Sequence, residues 1–579
     1  MTYLFNDPAQ FADELAEGYV AAHRDKIRRV DGGVIRRHKA KPGQVVVIIG
    51  GGSGHYPAFG GFVGLGLAHG AALGNVFAAP SAQQICNVAH AADAGGGILF
   101  CYANYAGDVL NFTQVQERLR AQGTDVRSVV VTDDIASAPV SEQHKRRGIA
   151  GTLAVFKAAA VAADAGKPLD EVVHIATAAN DRVRSLGVAF SGCTLPGAAK
   201  PLFEVASGIM EVGMGIHGEP GLDRVKAPSA DELAEMLVGK LLAEIPVTVN
   251  TISGARIGVI LNGLGAVKYE ELFVVYRKIE QLLTARGLII VAPVVDEMIT
   301  SFDMAGVSLT LFWLNDELEQ SWLAAADTPA FHRGVIAYDN FAMSHDAEPK
   351  ESRDKHSIKP GSVESQAAAN TVLAALEAAL KAIEAQQDEL GRLDAIAGDG
   401  DHGIGMQRGL TAAVEAARTA IIAQAGAGTT LIAAGDAWSD RAGGTSGMLW
   451  GVILCNLGSA VDDKAKPDAA TLATGIAAAL QAVIAAGKAQ LSDKTLVDVL
   501  YPFSTALMKG TTQGLSTPEA WTAAAEIAKQ SAEATKNLTP KIGRARPHAE
   551  KSIGIPDPGA VSMTLIIQAA DKIIRIHCI

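Results

Sequence analysis

The sequence predicts an α/β protein followed by an all-helical one, and three observations carry that prediction. Up to about residue 334, short β-branched runs alternate with helical stretches. A polar segment, SHDAEPKESRDKHSIKPGSVES at 344–365, then interrupts the pattern. Beyond it the chain turns alanine-rich and helical in period, as in AAANTVLAALEAALKAIEAQQDEL. The expected layout is an α/β part over 1–334, a linker over 335–364 and a helical part over 365–579.

Each element has its own justification. VVVII (45–49), ILFCY (98–102), SVVVT (128–132), IGVIL (257–261) and LIIVA (288–292) are continuous apolar runs. Runs without alternation suit strands buried on both faces, in sheets covered by helices. The polar segment reads as a mobile linker, and no internal repeat of fixed period is apparent.

Composition narrows the function. At 579 residues the chain is too long for one core, and 49% hydrophobic against 19% charged residues is a globular balance. The net charge of −12 argues against non-specific nucleic-acid binding, which requires a basic surface. Cys86, Cys101, Cys193, Cys455 and Cys578 are an odd, sparse set without a CxxC pair, and read as reduced thiols. MTYLFNDPAQ lacks a basic region followed by an apolar run, and no uninterrupted apolar segment reaches the length of a membrane span. A soluble, cytoplasmic protein that touches neither nucleic acid nor membrane is expected.

Three places in the α/β part resemble a site. VVVIIGGGSGHYPAFGGF runs from a strand into successive glycines and ends on His55. It is neither a Walker loop nor a G-x-S-x-G elbow, and both a structural turn and a ligand loop fit it. In ILFCYANYAGDVLNF, Asp108 follows a buried strand behind Gly107, where a carboxylate either caps the next helix or serves chemistry. In GMGIHGEPG (213–221), His217 stands among glycines, which allow a close backbone approach to a ligand. Two histidines and an aspartate on glycine-flanked loops make a plausible acid/base set.

The helical part contains LDAIAGDGDHGIGMQRG, with Asp394, Asp399 and Asp401 divided by glycines. Clustered carboxylates repel unless a cation sits among them, and oxygen ligands favour Mg²⁺ or Ca²⁺; a solvated acidic turn is the alternative. Downstream, RAGGTSGMLWG offers Thr445 and Ser446 where backbone can wrap a phosphate, and GRARPHAEKSIGIPDPGA supplies Arg544 and a DPG turn.

Taken in order, these motifs resemble the single-chain ATP-dependent dihydroxyacetone kinases. GGGSGH, NYAGD, DDIA, RRGIAGT, MGIHGEPG, GDGDHG, GGTSG, DKT and SIG..DPG together span nearly the whole chain. The resemblance implies an α/β ketose-binding part of two lobes and an eight-helix barrel that holds Mg-ATP. It implies that His217 forms a hemiaminal with the ketone carbon, its glycines leaving room for the carbonyl. His55 would hydrogen-bond the hemiaminal hydroxyl, Asp108 would take the proton of the attacking hydroxyl, and Gly52, Ser53 and Gly54 would line the pocket. Asp394, Asp399 and Asp401 match the family's ligands for two Mg²⁺ ions. Nucleotide contacts would fall on His402, Gly403, Ile404, Gly405, Thr445, Ser446, Gly487, Leu496, Arg544, Asp557, Pro558 and Gly559. A homodimer is implied as well.

The departures bear on the substrate. Tyr56 stands where the family usually has an acid, Ala103 where it has a lysine, and Val109 where it has an arginine. Loss of the lysine could admit one more hydroxymethylene group, which makes the C4 ketose erythrulose a candidate beside dihydroxyacetone. Other relatives split FAD into cyclic FMN, or keep the ketose fold as a sensor or phosphorelay subunit. A complete aspartate set on the same chain favours turnover with ATP.

Overall fold

The structure, a computed structural model, describes residues 4–336, 358–396, 398, 400–442, 444–542 and 552–577. It forms two compact units, residues 1–349 and 350–579. Asp399, Arg544, Cys578 and most of the 335–364 segment lie outside the described residues.

In the first unit, β1 (Ile27–Val30), β2 (Gly33–Arg36), β3 (Val46–Ser53), β4 (Gly70–Val76), β5 (Ile98–Ala103) and β6 (Val126–Val131) make a six-stranded sheet in the order β1-β2-β4-β3-β5-β6. Its β4-β3-β5-β6 section is parallel. Side chains alternate across a strand, so continuous apolar runs feed two cores at once. Val46 and Ile48 pack with Phe100 and Tyr102 on the outer face. Val47 and Ile49 pack with Leu99 and Cys101 on the inner face. The inner core also takes in the helix Thr152–Asp164, which is buried almost all round. A helix apolar on every side belongs inside a fold.

The second sheet is built from β7 (Val183–Ala189), β8 (Ile209–Val212), β9 (Asp223–Lys226), β10 (Arg256–Gly263), β11 (Ile289–Ile290), β12 (Val294–Asp296) and β13 (Gly306–Trp313). Its order is β11-β10-β13-β7-β8-β9, with β12 also on β10. The pairs among β10, β13, β7, β8 and β9 are antiparallel. The run LIIVA yields only the two-residue β11, because the chain turns to positive φ at Ala292. β7 has no continuous apolar run, yet it is buried throughout. Its Ser185 hydroxyl bonds Thr310 at 2.7 Å, and its Arg184 pairs with Glu244 at 3.2 Å.

The second unit is helical: Val363–Glu384, Gln387–Asp394, His402–Ile422, Ala427–Ala442, Gly444–Val461, Ala469–Gly487, Val497–Thr512, Thr517–Ala534 and Pro558–His577. Apart from the short Gln387–Asp394, successive helices pack on one another, and the last packs on the first. Two of them, Gly444–Val461 and Ala469–Gly487, are long and apolar enough to cross a membrane by length and composition alone, although neither is an uninterrupted apolar run. Both contribute to the core of this unit, through Trp450, Ile453 and Leu454 in one and Ile476, Leu480 and Val483 in the other.

Candidate active site

β3 carries its glycines inside the strand. A Cβ at Gly51 would lie 2.1 Å from the Phe59 ring, and one at Gly52 would lie 2.8 Å from the Ala78 nitrogen. The run therefore permits close packing, and the turn falls on Gly54, at φ 98. That turn delivers His55 into the interior. Its Nδ1 is 2.8 Å from the Thr300 carbonyl oxygen, and its ring stacks on Phe77 at 4.8 Å. Burial, reinforced by His217, pushes the His55 pKa down to about 3.

His217 arrives from the second sheet, on the loop after β8. Its Nε2 lies 3.0 Å from His55 Nε2, and its Nδ1 lies 3.1 Å from Glu219 Oε1. The rings of Phe77 and Tyr105 meet it edge-on at 5.1 and 4.9 Å. The glycines around it make room for protein. A Cβ at Gly215 would fall 2.1 Å from Glu219 Oε2, and one at Gly218, which has φ 83, would fall 2.2 Å from the Phe203 ring. Gly215 thus lets Glu219 fold back toward the imidazole, and Gly218 lets the Phe203 ring approach the backbone.

Behind Glu219 stands Arg147, with Nη1 3.7 Å from Oε2 and Nη2 2.9 Å from Asp134. Burial raises the Asp134 pKa while Arg147 opposes it, and burial holds the Tyr105 phenol protonated. Asp108 is buried in the first turn of the helix Ala106–Ala121, which begins directly after Tyr105. It sits inside that turn and is not the N-cap, which is Tyr105. Sequence reasoning quoted the motifs holding Tyr105, Asp134, Arg147 and Glu219 but gave those residues no role. Phe77 and Thr300 gave no sequence signal at all.

Of the departures, Tyr56 is half-exposed and meets Tyr19 edge-on at 5.8 Å. Val109 packs against the outer core. Ala103 is buried at the end of β5, and a Cβ on Gly148 would lie 2.8 Å from its own Cβ.

In the helical unit, Asp394 ends one helix and Asp401 precedes the next. Asp394 Oδ2 accepts the N–H of Gly400 at 3.0 Å and of His402 at 3.3 Å. Crowding by the protein around it, with the nearby Asp394, raises the Asp401 pKa although the residue is largely exposed. Burial likewise pushes Asp557 up to about 7, with Asp498 and Asp394 adding to it. Asp557 Oδ2 accepts the Ala560 N–H at 2.8 Å at the start of the helix Pro558–His577. His402 Nε2 meets Ser562 Oγ at 2.9 Å, and a Cβ on Gly559 would lie 3.6 Å from Leu496 Cβ. His402–Gly405, Asp557–Gly559 and Leu496 are thus linked around three helix starts. Thr445 and Ser446 open the helix Gly444–Val461, and Gly487 closes Ala469–Gly487. Among the described residues no three His, Cys, Asp or Glu side chains gather as a metal cluster. Asp399 falls outside them, but the half-buried Asp394 and the exposed Asp401 supply the hard oxygen donors a divalent cation takes.

Comparison with known proteins agrees across both units. A Dak1 domain model matches residues 17–330 and a DAK2 domain model matches residues 396–572. The chain is 56% identical over 579 residues to the L-erythrulose kinase of Pectobacterium atrosepticum, covering 99% of this chain and 97% of that one. It is 48% identical over 573 residues to the D-erythrulose kinase of Mycolicibacterium smegmatis, covering 98% and 97%. Among solved structures, the dihydroxyacetone kinase of C. freundii in complex with AMP-PNP and Mg²⁺ is similar at 28% identity and TM-score 0.52, over 99% of both chains. The chain belongs to the single-chain dihydroxyacetone kinase family.

Proposed function

We propose that this protein is an ATP-dependent kinase that phosphorylates a terminal hydroxyl of a short-chain ketose, with erythrulose ahead of dihydroxyacetone. The observation that carries the reading is the His217–His55 pair, an imidazole held by a carboxylate with its outer nitrogen 3.0 Å from a second imidazole. A nucleophile beside an acid/base partner is what reversible addition to a ketone requires. Glycerol, with no carbonyl, would be rejected. The erythrulose kinases among the relatives carry both D and L names, so the enantiomer is left to experiment.

His217 Nε2 would hold the ketone carbon as a hemiaminal, and His55 would hydrogen-bond the new hydroxyl. Asp108 would take the proton from the attacking terminal hydroxyl, with the Gly52, Ser53 and Gly54 backbone lining the pocket. The burial of Asp108 in the first turn of the helix that begins after Tyr105, whose ring meets His217, supports that role. Asp394, Asp399 and Asp401 would hold Mg²⁺, two ions in all, whose positive charge would neutralise that of the phosphates of bound ATP. The N–H groups at the starts of the helices His402–Ile422, Gly444–Val461 and Pro558–His577 would receive phosphate oxygens, assisted by Arg544, with Gly487 and Leu496 flanking the nucleotide. Successive helix packing with the last helix on the first supports an eight-helix barrel. Free Cys86, Cys101, Cys193 and Cys455 accord with a reducing, cytoplasmic setting.

The test is a panel of D-erythrulose, L-erythrulose, dihydroxyacetone and glyceraldehyde with ATP and Mg²⁺, beside FAD with Mn²⁺. Phosphorylation of an erythrulose with the highest kcat/KM is expected. Cyclic FMN formation without ketose turnover would replace the kinase reading with the lyase one.

A further inference from the structure

The hydrogen-bond partners of the two imidazoles decide how many protons the pair holds. His55 Nδ1 faces the Thr300 carbonyl oxygen at 2.8 Å, which can only accept, so that nitrogen bears a proton. His217 Nδ1 faces Glu219 Oε1 at 3.1 Å. Glu219 is an acceptor too: its other oxygen takes the His217 backbone N–H at 3.0 Å and faces Arg147 at 3.7 Å. Both Nδ1 atoms are therefore protonated. The two Nε2 atoms are then left facing each other at 3.0 Å. Two bare lone pairs would repel there and two N–H groups would collide, whereas a single proton makes a hydrogen bond.

The surrounding charges agree. Asp134 and Glu219 share the one guanidinium of Arg147, so these buried groups balance when the histidine pair carries one positive charge. Tyr105 stays protonated, Phe77 and Thr300 bring no charge, and Asp108 belongs to the first turn of the helix that follows Tyr105.

We propose that Glu219 is the positioning residue of this site: it pins the His217 tautomer so that the resting pair holds one proton between its Nε2 atoms, and that proton ends on the ketose oxygen. The proposal rests on the reading of His217 as the ketose anchor. In the step itself, the shared proton moves to His55 Nε2, which frees the His217 Nε2 lone pair. That pair forms the bond to the carbonyl carbon, the C=O π electrons move to oxygen, and oxygen takes the proton from His55. The products are a neutral hydroxyl, a neutral His55 and a His217 ring that carries the positive charge against Glu219. The resting and bound pairs thus have the same charge. Ketose binding neither takes up nor releases a proton until the resting pair loses its own; above that pH, affinity falls by about tenfold per pH unit.

Two measurements test this on the full-length protein. Nitrogen NMR of histidine-labelled, ligand-free enzyme, with His55 and His217 assigned through their alanine variants, should show both Nδ1 atoms protonated and one proton shared by the Nε2 atoms. Only two protons on the pair would overturn the proposal whether or not a ketose adduct forms. The second is the pH profile of erythrulose affinity in wild type, Glu219→Gln and Glu219→Asp. The Gln variant should bind within about twofold of wild type near pH 6 and more than about tenfold more weakly near pH 8.5, with Asp between them. A loss equal at every pH would assign Glu219 a structural role only, and an unchanged profile would remove it from the site; either overturns the proposal. A carbonyl-¹³C ketose that shows no tetrahedral carbon in wild type, with the proton count as expected, would instead remove the anchor reading.

Discussion

At the residue scale, one imidazole from each side of the site meets the other at 3.0 Å, and each side chain has a separable effect. His217→Ala should raise the ketose KM by at least about tenfold while leaving the ATP KM within about twofold, because the lost bond anchors a very small ligand with few other contacts. Initial-rate kinetics with each substrate varied in turn check this; an unchanged ketose KM would sink the anchor role. Asp108→Asn keeps the shape and removes the base, so kcat should fall about 10²- to 10⁴-fold while the ketose adduct still forms. Carbon NMR of a labelled ketose, read beside turnover, separates those effects. The histidines were legible because glycines bracket them in the sequence. Their supports were less so: Glu219 stands two positions from His217 but reads as part of a turn, and Thr300 acts through its carbonyl, which no side-chain pattern reveals.

At the scale of elements, the apolar strands of the first sheet were readable because burial on both faces removes polar alternation. β7 was hidden for the opposite reason. Arg184 and Ser185 interrupt its apolar run, and their burial is made possible by partners distant in sequence, Glu244 and Thr310. Glu244 has a second task. It accepts from Arg146, whose fully buried guanidinium also donates through Nε to the Ala138 carbonyl at 2.8 Å. This pair fixes the segment that presents Arg147 to Glu219 and Asp134. Glu244→Ala leaves two buried guanidinium groups without their carboxylate, so a loss of about 3 kcal/mol or more is expected in urea unfolding of the first unit. A loss below about 1 kcal/mol would mean that water replaces the carboxylate there. In the helical unit, a Cβ at Gly409 would fall 2.2 Å from Trp438 Nε1, so Gly409→Ala should cost about 1–3 kcal/mol by overpacking, read from the thermal midpoint of that unit.

At the scale of the whole molecule, the groups assigned to the ketose lie in the first unit and those assigned to the nucleotide in the second. The change from alternating α/β segments to alanine-rich helices made that division legible. The sequence does not reveal which chain's second unit serves which chain's first. Phosphoryl transfer requires the two sets to meet, and a polar segment of about twenty residues can reach several tens of ångströms when extended. In a homodimer, the arrangement that the family resemblance implies, that reach would allow the nucleotide unit of one subunit to serve the ketose site of its partner. His217→Ala protein retains an intact nucleotide unit, and Asp399→Ala/Asp401→Ala protein retains an intact ketose unit. Each should be inactive alone. Mixed at equal concentration under conditions of subunit exchange, they should recover up to about a quarter of wild-type activity, since half the dimers are mixed and each mixed dimer has one functional pairing. Exchange is followed independently by native mass spectrometry of differently tagged subunits. Activity that appears with the mixed dimer and in proportion to it assigns transfer between chains. A mixture as inactive as its parents, with exchange complete, confines each reaction to one chain.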